Sequence, residues 1–464
     1  MPRIPLIPGV ISDQLAEFRP SYPLNLEPVA VDSKISTGQL RATAGVVPIV
    51  TGPGVDRGGI YWNDMIYRVM GSRLVKLTRA GAITDLADVG NDGLPVTLAY
   101  SFDRLGIRSG SNLYYWNDAA LVQVTDVDLG LVTDFIWIDG YFMTTDGTSV
   151  VVTELNDPTA VNPLKYGSAE EDPDDVTGLI KVRNEAYVCG RHTIQVFRNT
   201  GSSGFPFETI RGATIPFGCV GAMAKCLYGG SFAFVGSARN EALGVYVAGS
   251  GDADRISNRA IDDELAAVDD PSGIVLENRT FRGEQRLFIH LPTKSLVFLR
   301  QASESLQQAL WYEAQSGVGK PYRPRFAVLG YNKFVVGDTE SAQLGTLTDT
   351  VSTHFGEVAQ WRFDVGLVYN EGKGGVVHSV ELIGLPGRAP AGVDGSAWLS
   401  MTRDGRTFTT ERALSMGIAG DRQRRMQWRP RTSFRNYIGF RFRGYSAALP
   451  GFSVVEAGIS PLAI

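Results

Sequence analysis

A strand–turn–strand unit recurs about seven times between residues 60 and 350 of this 464-residue chain. In each unit two runs of alternating apolar and polar residues flank a turn bearing glycine or proline. Ile66-Tyr67-Arg68-Val69 and Leu74-Val75-Lys76-Leu77 flank Gly71 in this way, and later turns are expected at Gly110, Gly147, Gly190, Gly236, Pro292 and Gly337. Successive turns lie 37 to 56 residues apart. One four-stranded propeller blade has a period of roughly 40 to 50 residues, whereas helical repeats of about 34 residues carry a 3.6-residue apolar period. The spacing therefore predicts an all-β chain built on a six- or seven-bladed β-propeller. The count stays open because the first or last hairpin either closes the ring or belongs to a neighbouring domain.

A chain of this length has room for two or three domains and a sizeable core. Its 53 glycines, 23 prolines and 10% aromatic content suit short strands joined by tight turns, because glycine supplies positive φ and proline fixes it. The strongest helical stretch is 257–268, where Ile261, Leu265 and Val268 share one face and Asp262, Asp263 and Glu264 load the first turns; it predicts one short connector. Cys189, Cys219 and Cys226 are an odd number of cysteines, which argues against a disulfide scaffold and for assembly in a reducing compartment. Residues 1–8 carry three prolines and no apolar stretch of signal-peptide length, and no run approaches the roughly 18 apolar residues of a membrane-spanning helix. A soluble protein made in a cytoplasm, with no membrane-spanning segment, is the expectation.

Residues 1–45 are punctuated by Pro2, Pro5, Pro8, Pro20, Pro23 and Pro28 and lack periodicity until Val46-Val47-Pro48-Ile49-Val50, which predicts an extended N-terminal arm docked on another surface. The propeller is expected over 46–350. Its most polar interruption, 168–175, holds five acidic groups around Pro173 and predicts a solvated loop. The stretch from Arg198 to Phe207, with Gly201, Gly204 and Pro206, predicts an ordered insertion of the kind on which binding surfaces arise. Over 351–464, five strand candidates (361–365, 376–385, 397–401, 437–443 and 452–457) predict a C-terminal β-sandwich. Thr402-Arg403-Asp404-Gly405 resembles a shortened Asp-box of sialidase-like propellers, but it lies outside the repeats and is expected to be a structural turn.

Motifs for chemistry are sparse. Gly317-Val318-Gly319-Lys320 is followed by Pro321, so it lacks the hydroxyl and the backbone donor of a phosphate-binding loop. No Gly-x-Ser-x-Gly elbow occurs, and Gly249-Ser250-Gly251 lacks the third glycine of a dinucleotide loop. Cys189 and His192 with Cys219 and Cys226 match zinc in ligand type but not in spacing, and Cys189 alternates with Tyr187 as a small core residue would. Asp126-Val127-Asp128-Leu129-Gly130 is a calcium-loop fragment without the downstream glutamate and predicts a turn. His192, His290, His354 and His378 never fall at ligand spacing from one another. These observations imply no cofactor, no metal and no catalytic set.

Charge is distributed unevenly. Between Met401 and Tyr445 lie eleven arginines and no lysine against Asp404, Glu411 and Asp421, so the segment carries +8. The whole chain stands at −5 with only Glu456 charged after Tyr445, which leaves residues 1–400 at −12. Arginine without lysine favours planar, bidentate recognition of carboxylate or phosphate. Arg422, Arg424, Arg425, Arg429, Arg431 and Arg435 are the candidate interface residues, facing a subunit or partner protein; a solvated strand face and nucleic-acid phosphate are the alternatives.

Several strings resemble, in shared order, the tail hub or nozzle protein of short-tailed bacteriophages, also called the packaged-DNA stabilisation protein. They are Val69-Met70-Gly71-Ser72-Arg73-Leu74-Val75-Lys76, Gly178-Leu179-Ile180, Thr193-Ile194-Gln195-Val196-Phe197 with Thr200-Gly201, Leu287 to Pro292, Leu296-Val297, Trp311, Gly337-Asp338 before Gly345, Leu399-Ser400 with Thr402, Asp404 and Gly405, and Arg435-Asn436 with Ile438-Gly439-Phe440. The resemblance implies a virion tail protein, made and assembled in the bacterial host cytoplasm, with no catalytic role. It implies a homohexameric ring below the portal and its adaptor, carrying tailspikes or fibres, with a needle or plug as a further partner. Double-stranded DNA would pass through its channel, and the ring would help retain packaged DNA. The arginine cluster would then face the adaptor or a neighbouring subunit, and the acidic balance of residues 1–400 would suit a lumen that DNA slides past. The competing readings are a glycan-processing, sialidase-like propeller enzyme and a soluble propeller scaffold for protein partners.

Overall fold

The computed structural model describes residues 3–4, 6, 11–14, 17–29, 38–155, 157–168, 174–369, 371 and 373–462. Alternating side chains put the two faces of this hairpin into two cores, Tyr67, Val69 and Leu74 in one and Ile66, Val75 and Leu77 in the other, and a glycine at φ 60° lets Met65–Met70 and Arg73–Leu77 close the turn at Gly71. Asp56–Trp62 and Ile83–Asp88 flank that hairpin, which makes a four-stranded meander. Further meanders follow over 97–123, 134–168, 176–209, 218–255 and 275–314, that of 218–255 with five strands. A last sheet takes Pro324–Gly330, Lys333–Asp338 and Gln343–Thr348 and receives Gly45–Thr51 from the other end of the chain as its fourth long strand. Among the described residues, seven sheets thus follow one another. The inner strands of consecutive sheets touch in a closed circle, the last against the first, with Lys225–Tyr228 in the inner place of the 218–255 sheet, so the fold is a β-propeller.

Two of the expected turn glycines are corrected. Gly236 lies inside the strand Ser231–Ser237 and Gly337 inside Lys333–Asp338. Each is needed for close approach rather than for turning, since a methyl group would overlap the Gly218 carbonyl at Gly236 and the Asp56 carboxylate at Gly337. The expected helix forms over Arg259–Ala266, where Asn258 Oδ1 accepts from Ile261 N at 3.2 Å and Ile261 and Leu265 are buried. A second helix, Arg300–Leu306, was not expected. The insertion after Arg198 is a loop over 200–206 anchored by Phe205 between Phe197 and Phe207. Residues 169–173 of the acidic loop lie outside the described residues.

All five strand candidates of the C-terminal region form, as Gln360–Val368, Gly375–Gly384, Ser396–Thr402, Tyr437–Tyr445 and Gly451–Pro461. They make two sheets around a core of Trp361, Phe363, Phe440, Phe442, Phe452 and Val455. The N-terminal segment contributes to this sandwich directly. Arg3–Ile4 pairs with Gly451–Pro461, the hairpin of Leu26–Val29 and Gln39–Ala42 adds beyond it, and Ile4, Leu6, Leu26 and Leu40 are buried in the sandwich core.

Between sandwich and propeller the chain at Leu24 and Asn25 pairs with both. Leu24 N donates to Arg362 O and Asn25 N to Glu313 O, each at 2.8 Å. Asn25 sits at φ 52°, which turns its amide toward the junction. There Nδ2 donates to Gln315 O at 2.8 Å and Gln360 O at 2.7 Å, while Oδ1 accepts from Gln315 N at 3.0 Å.

Three acids on first strands tie sheets together. Asp56 pairs through two bonds of 2.7 and 2.5 Å with the fully buried Arg68. Asp134 accepts from Thr97 Oγ1, Leu179 N and the buried Lys225 Nζ, three groups on three other sheets. Glu277 accepts from Phe326 N and Ala327 N of the last sheet and pairs with Arg279. His290 Nε2 also lies 3.2 Å from Glu277. Burial, only partly opposed by that carboxylate, pushes the His290 imidazole down to about 4, so Arg279 rather than the imidazole balances Glu277 at neutral pH. His354, bonded to Ser316 Oγ at 2.9 Å, is likewise pushed down to about 4 by burial and then by the Arg323 and Arg279 charges.

Two outcomes are expected. Asn25→Ala leaves three backbone groups at the junction without partners and puts a Cβ-bearing residue with no local hydrogen bond at positive φ, costing about 2–4 kcal/mol. Calorimetry should show separate transitions for propeller and sandwich in this variant; a single transition at the wild-type temperature would refute the coupling. For the histidines, the unfolded chain takes up protons below about 6.5 while the native imidazoles resist until about 4. Stability should therefore fall as pH drops through that window, by on the order of 2 kcal/mol per histidine. Urea midpoints at pH 7 and pH 4.5 measure this, and His354→Gln should flatten the slope.

Candidate interaction surface

The arginine-rich segment divides by strand geometry. Met426–Trp428 and Thr432–Phe434 pair one after the other with Gly375–Gly384, forming an outer row of the first sandwich sheet. Met426, Trp428 and Phe434 point into the core, so period-two alternation turns Arg425, Arg429, Arg431 and Arg435 outward. Pro430 is buried between the two short strands and Arg431 turns the chain at φ 50°.

Two of the six candidate residues are held by their own chain. Arg425 makes two bonds to Glu381 on the neighbouring strand, at 2.9 and 2.6 Å, and Arg422 Nη1 donates to Pro386 O at 3.1 Å. Arg424, Arg429, Arg431 and Arg435 are exposed, and their side chains have no ion-pair or hydrogen-bond partner among the described residues. The arginines of the opposite sheet behave differently. Arg441 makes two 2.8 Å bonds to Asp364 and lies 3.8 Å over Phe408, while Arg443 pairs with Glu411 over Trp398. Those two brace the second sheet. A run of +8 in the sequence is thus a structural set on one sheet and an unpaired set on the edge of the other. No local sequence signal separates the two, because Asp364 is 77 residues from Arg441.

The other motifs assemble no chemistry. Among the described residues no group of three or more His, Cys, Asp or Glu is placed to hold a metal ion. Cys189 and Cys219 are buried, and burial pushes both thiols up. Gly317 and Lys320 close a tight turn, and Asp126 caps a single 3-10 turn by accepting from Asp128 N. Asp404 accepts from Thr407 Oγ1, from the Arg406 and Thr407 amides and from Thr402 Oγ1, which lowers its carboxyl and makes Thr402–Thr407 a closed turn. No helix of the described residues is long and apolar enough to cross a membrane.

A family model described as bacteriophage P22 Gp10, beta-propeller, matches residues 2–352, and one described as bacteriophage P22 Gp10, beta-sandwich, matches residues 360–460. The tail hub protein gp10 of Salmonella phage P22 is 25% identical over 475 residues, covering 95% of this chain and 96% of that protein. Similar solved structures include the N-terminal domain of Nup159, with 10% identity over 70% of this chain and 98% of that one and a TM-score of 0.42. PorZ of Porphyromonas gingivalis has 11% identity over 81% and 46% of the two chains and a TM-score of 0.40. Hsv2 of Kluyveromyces marxianus has 7% identity over 68% and 94% and a TM-score of 0.34. Likenesses this distant carry no functional argument. The two P22 models, by contrast, match in chain order and fall on the propeller and the sandwich, and the chain belongs to the bacteriophage P22 Gp10 family.

Proposed function

We propose that this chain is a structural virion protein that forms the tail hub of a short-tailed phage. The collinear match of both P22 Gp10 models, propeller then sandwich, is the observation that carries this reading. Its relative is named a tail hub protein. In this reading six copies form a ring below the portal and its adaptor, spikes or fibres dock outside, a needle or plug closes it, and DNA passes through the channel. In this reading the protein acts by assembly rather than by catalysis. Arg424, Arg429, Arg431 and Arg435 face a neighbouring subunit or the adaptor, where each unpaired guanidinium meets a carboxylate. A strand edge of this kind favours protein over DNA, since Arg422 and Arg425 are already engaged within the chain.

Native mass measurement of the purified protein, alone and with its adaptor, should give a species of six copies. A monomer under all conditions would count against the ring. Arg424→Glu, Arg429→Glu and Arg431→Glu together should lower ring formation or adaptor docking at least tenfold while leaving the unfolding temperature unchanged. Undiminished assembly of that triple variant would remove these arginines from the interface while leaving the tail-hub reading standing.

A further inference from the structure

A cleft of about 950 Å³ opens where the last two propeller sheets, the N-terminal segment and the sandwich meet. None of the six candidate arginines lines it. Its floor is apolar and aromatic: Val47, Ile49, Phe281 and Leu329 are each more than two-fifths exposed, although they are large hydrophobic residues in an otherwise well-filled fold. Phe288 and Tyr312 close the inner wall, and the Tyr312 hydroxyl, in a residue only 2% exposed, makes no hydrogen bond among the described residues.

Charge distinguishes this cleft from the rest of the chain. Arg41, Arg279, Arg282, Arg286, Lys333 and Arg388 line it. Arg279 is balanced from behind by Glu277, and Arg282 by Asp349 at 2.5 Å. Arg41 and Arg286 share one carboxylate oxygen, Glu27 Oε1, at 3.1 and 2.6 Å, so one of the two positive charges is in excess. Lys333 and Arg388 have no side-chain partner among the described residues. Three positive charges are therefore uncompensated around an apolar floor, in a chain whose residues 1–400 carry a net −12.

We infer that this cleft docks an acidic, apolar-bearing segment of a different polypeptide. Carboxylates of that segment would meet Lys333 and Arg388 at the rim, and large apolar side chains would cover Val47, Ile49, Phe281 and Leu329. The volume falls in the range of sites that bury most of a compact ligand, and an aromatic floor with a charged rim is the anatomy of a protein interface. Double-stranded DNA fits less well, because its phosphates would reach the rim but leave the apolar floor wet. A second copy of this chain also fits less well. Its most acidic stretch, 168–175, supplies five carboxylates but no large apolar side chain.

Fluorescence anisotropy on the full chain at 0.15 M salt tests the assignment with four labelled probes. These are a Glu-Leu alternating octapeptide, a Lys-Leu octapeptide, a synthetic peptide of residues 168–175, and a short DNA duplex. The Glu-Leu peptide should bind saturably and more tightly than the other three. Lys333→Glu with Arg388→Glu should weaken it at least tenfold, and Leu329→Ser severalfold, each with an unchanged unfolding temperature. As a control, Arg211→Glu, at an exposed residue that does not line the cleft, should bind as wild type does. Absence of Glu-Leu binding, equal binding by the double variant, or tighter binding of the 168–175 peptide or of DNA would each overturn the inference.

Discussion

A ring of sheets has to be closed by strand pairing, and here the closing strand comes from the far end of the sequence. Gly45–Thr51 pairs antiparallel with Gln343–Thr348, so the last sheet cannot be completed until almost 300 residues between them have been arranged. Closing so long a loop costs conformational entropy before any contact repays it. What repays it is concentrated at the seam. Arg68 of the first sheet, fully buried, makes two bonds to Asp56 and reaches across to Phe326 O at 3.0 Å and Val335 O at 3.4 Å in the last sheet. Gly337 lets the Asp56 carboxylate lie directly against the last sheet. Breaking such a pair from one side costs about 3–5 kcal/mol, because a charge is left buried and alone.

The same terminal stretch that closes the ring also builds the second domain. Between Arg3 and Thr51 the chain pairs with the sandwich at Arg3–Ile4, bridges both domains at Leu24 and Asn25, pairs with the sandwich again at Gln39–Ala42, and then enters the propeller. The sandwich is consequently held to the propeller by backbone ladders and not only by the link through residues 349–359. A rigid joint follows, and it sets where the unpaired arginine edge stands relative to the ring.

Local features of this arrangement could be read from the sequence, and distant ones could not. The hairpins at Gly71, Gly110 and Gly147 are local, since each depends on alternation within a dozen residues and a glycine at positive φ. The same rule misassigned Gly236 and Gly337, because a glycine demanded by a neighbouring backbone or carboxylate looks identical in sequence to one demanded by a turn. Asp134 and Lys225 are 91 residues apart, and Arg286 and Glu27 259 apart, so nothing local announces either pair. Composition did locate the arginine segment. It did not divide Arg441 and Arg443, which brace a sheet, from Arg429 and Arg431, which point outward.

That division bears on how such a molecule works. Inside the propeller, Asp56, Asp134 and Glu277 each meet a cation and hold neighbouring sheets together, so their charges are committed to the fold. A buried, fully partnered charge is poorly placed to attract anything else, since its field is cancelled within a few ångströms and it cannot move without cost. Charges free to act on other molecules are therefore those that the fold leaves unmatched. Here they include the strand edge carrying Arg429 and Arg431 and the cleft rim at Lys333 and Arg388. Both sets are positive in a chain that is negative overall, so each distinguishes its surface from the rest of the molecule and from the bulk of any identical neighbour. With one set on the sandwich edge and the other at the domain junction, a rigid joint between the domains fixes their separation, and two partners bound at once would be held at a set distance.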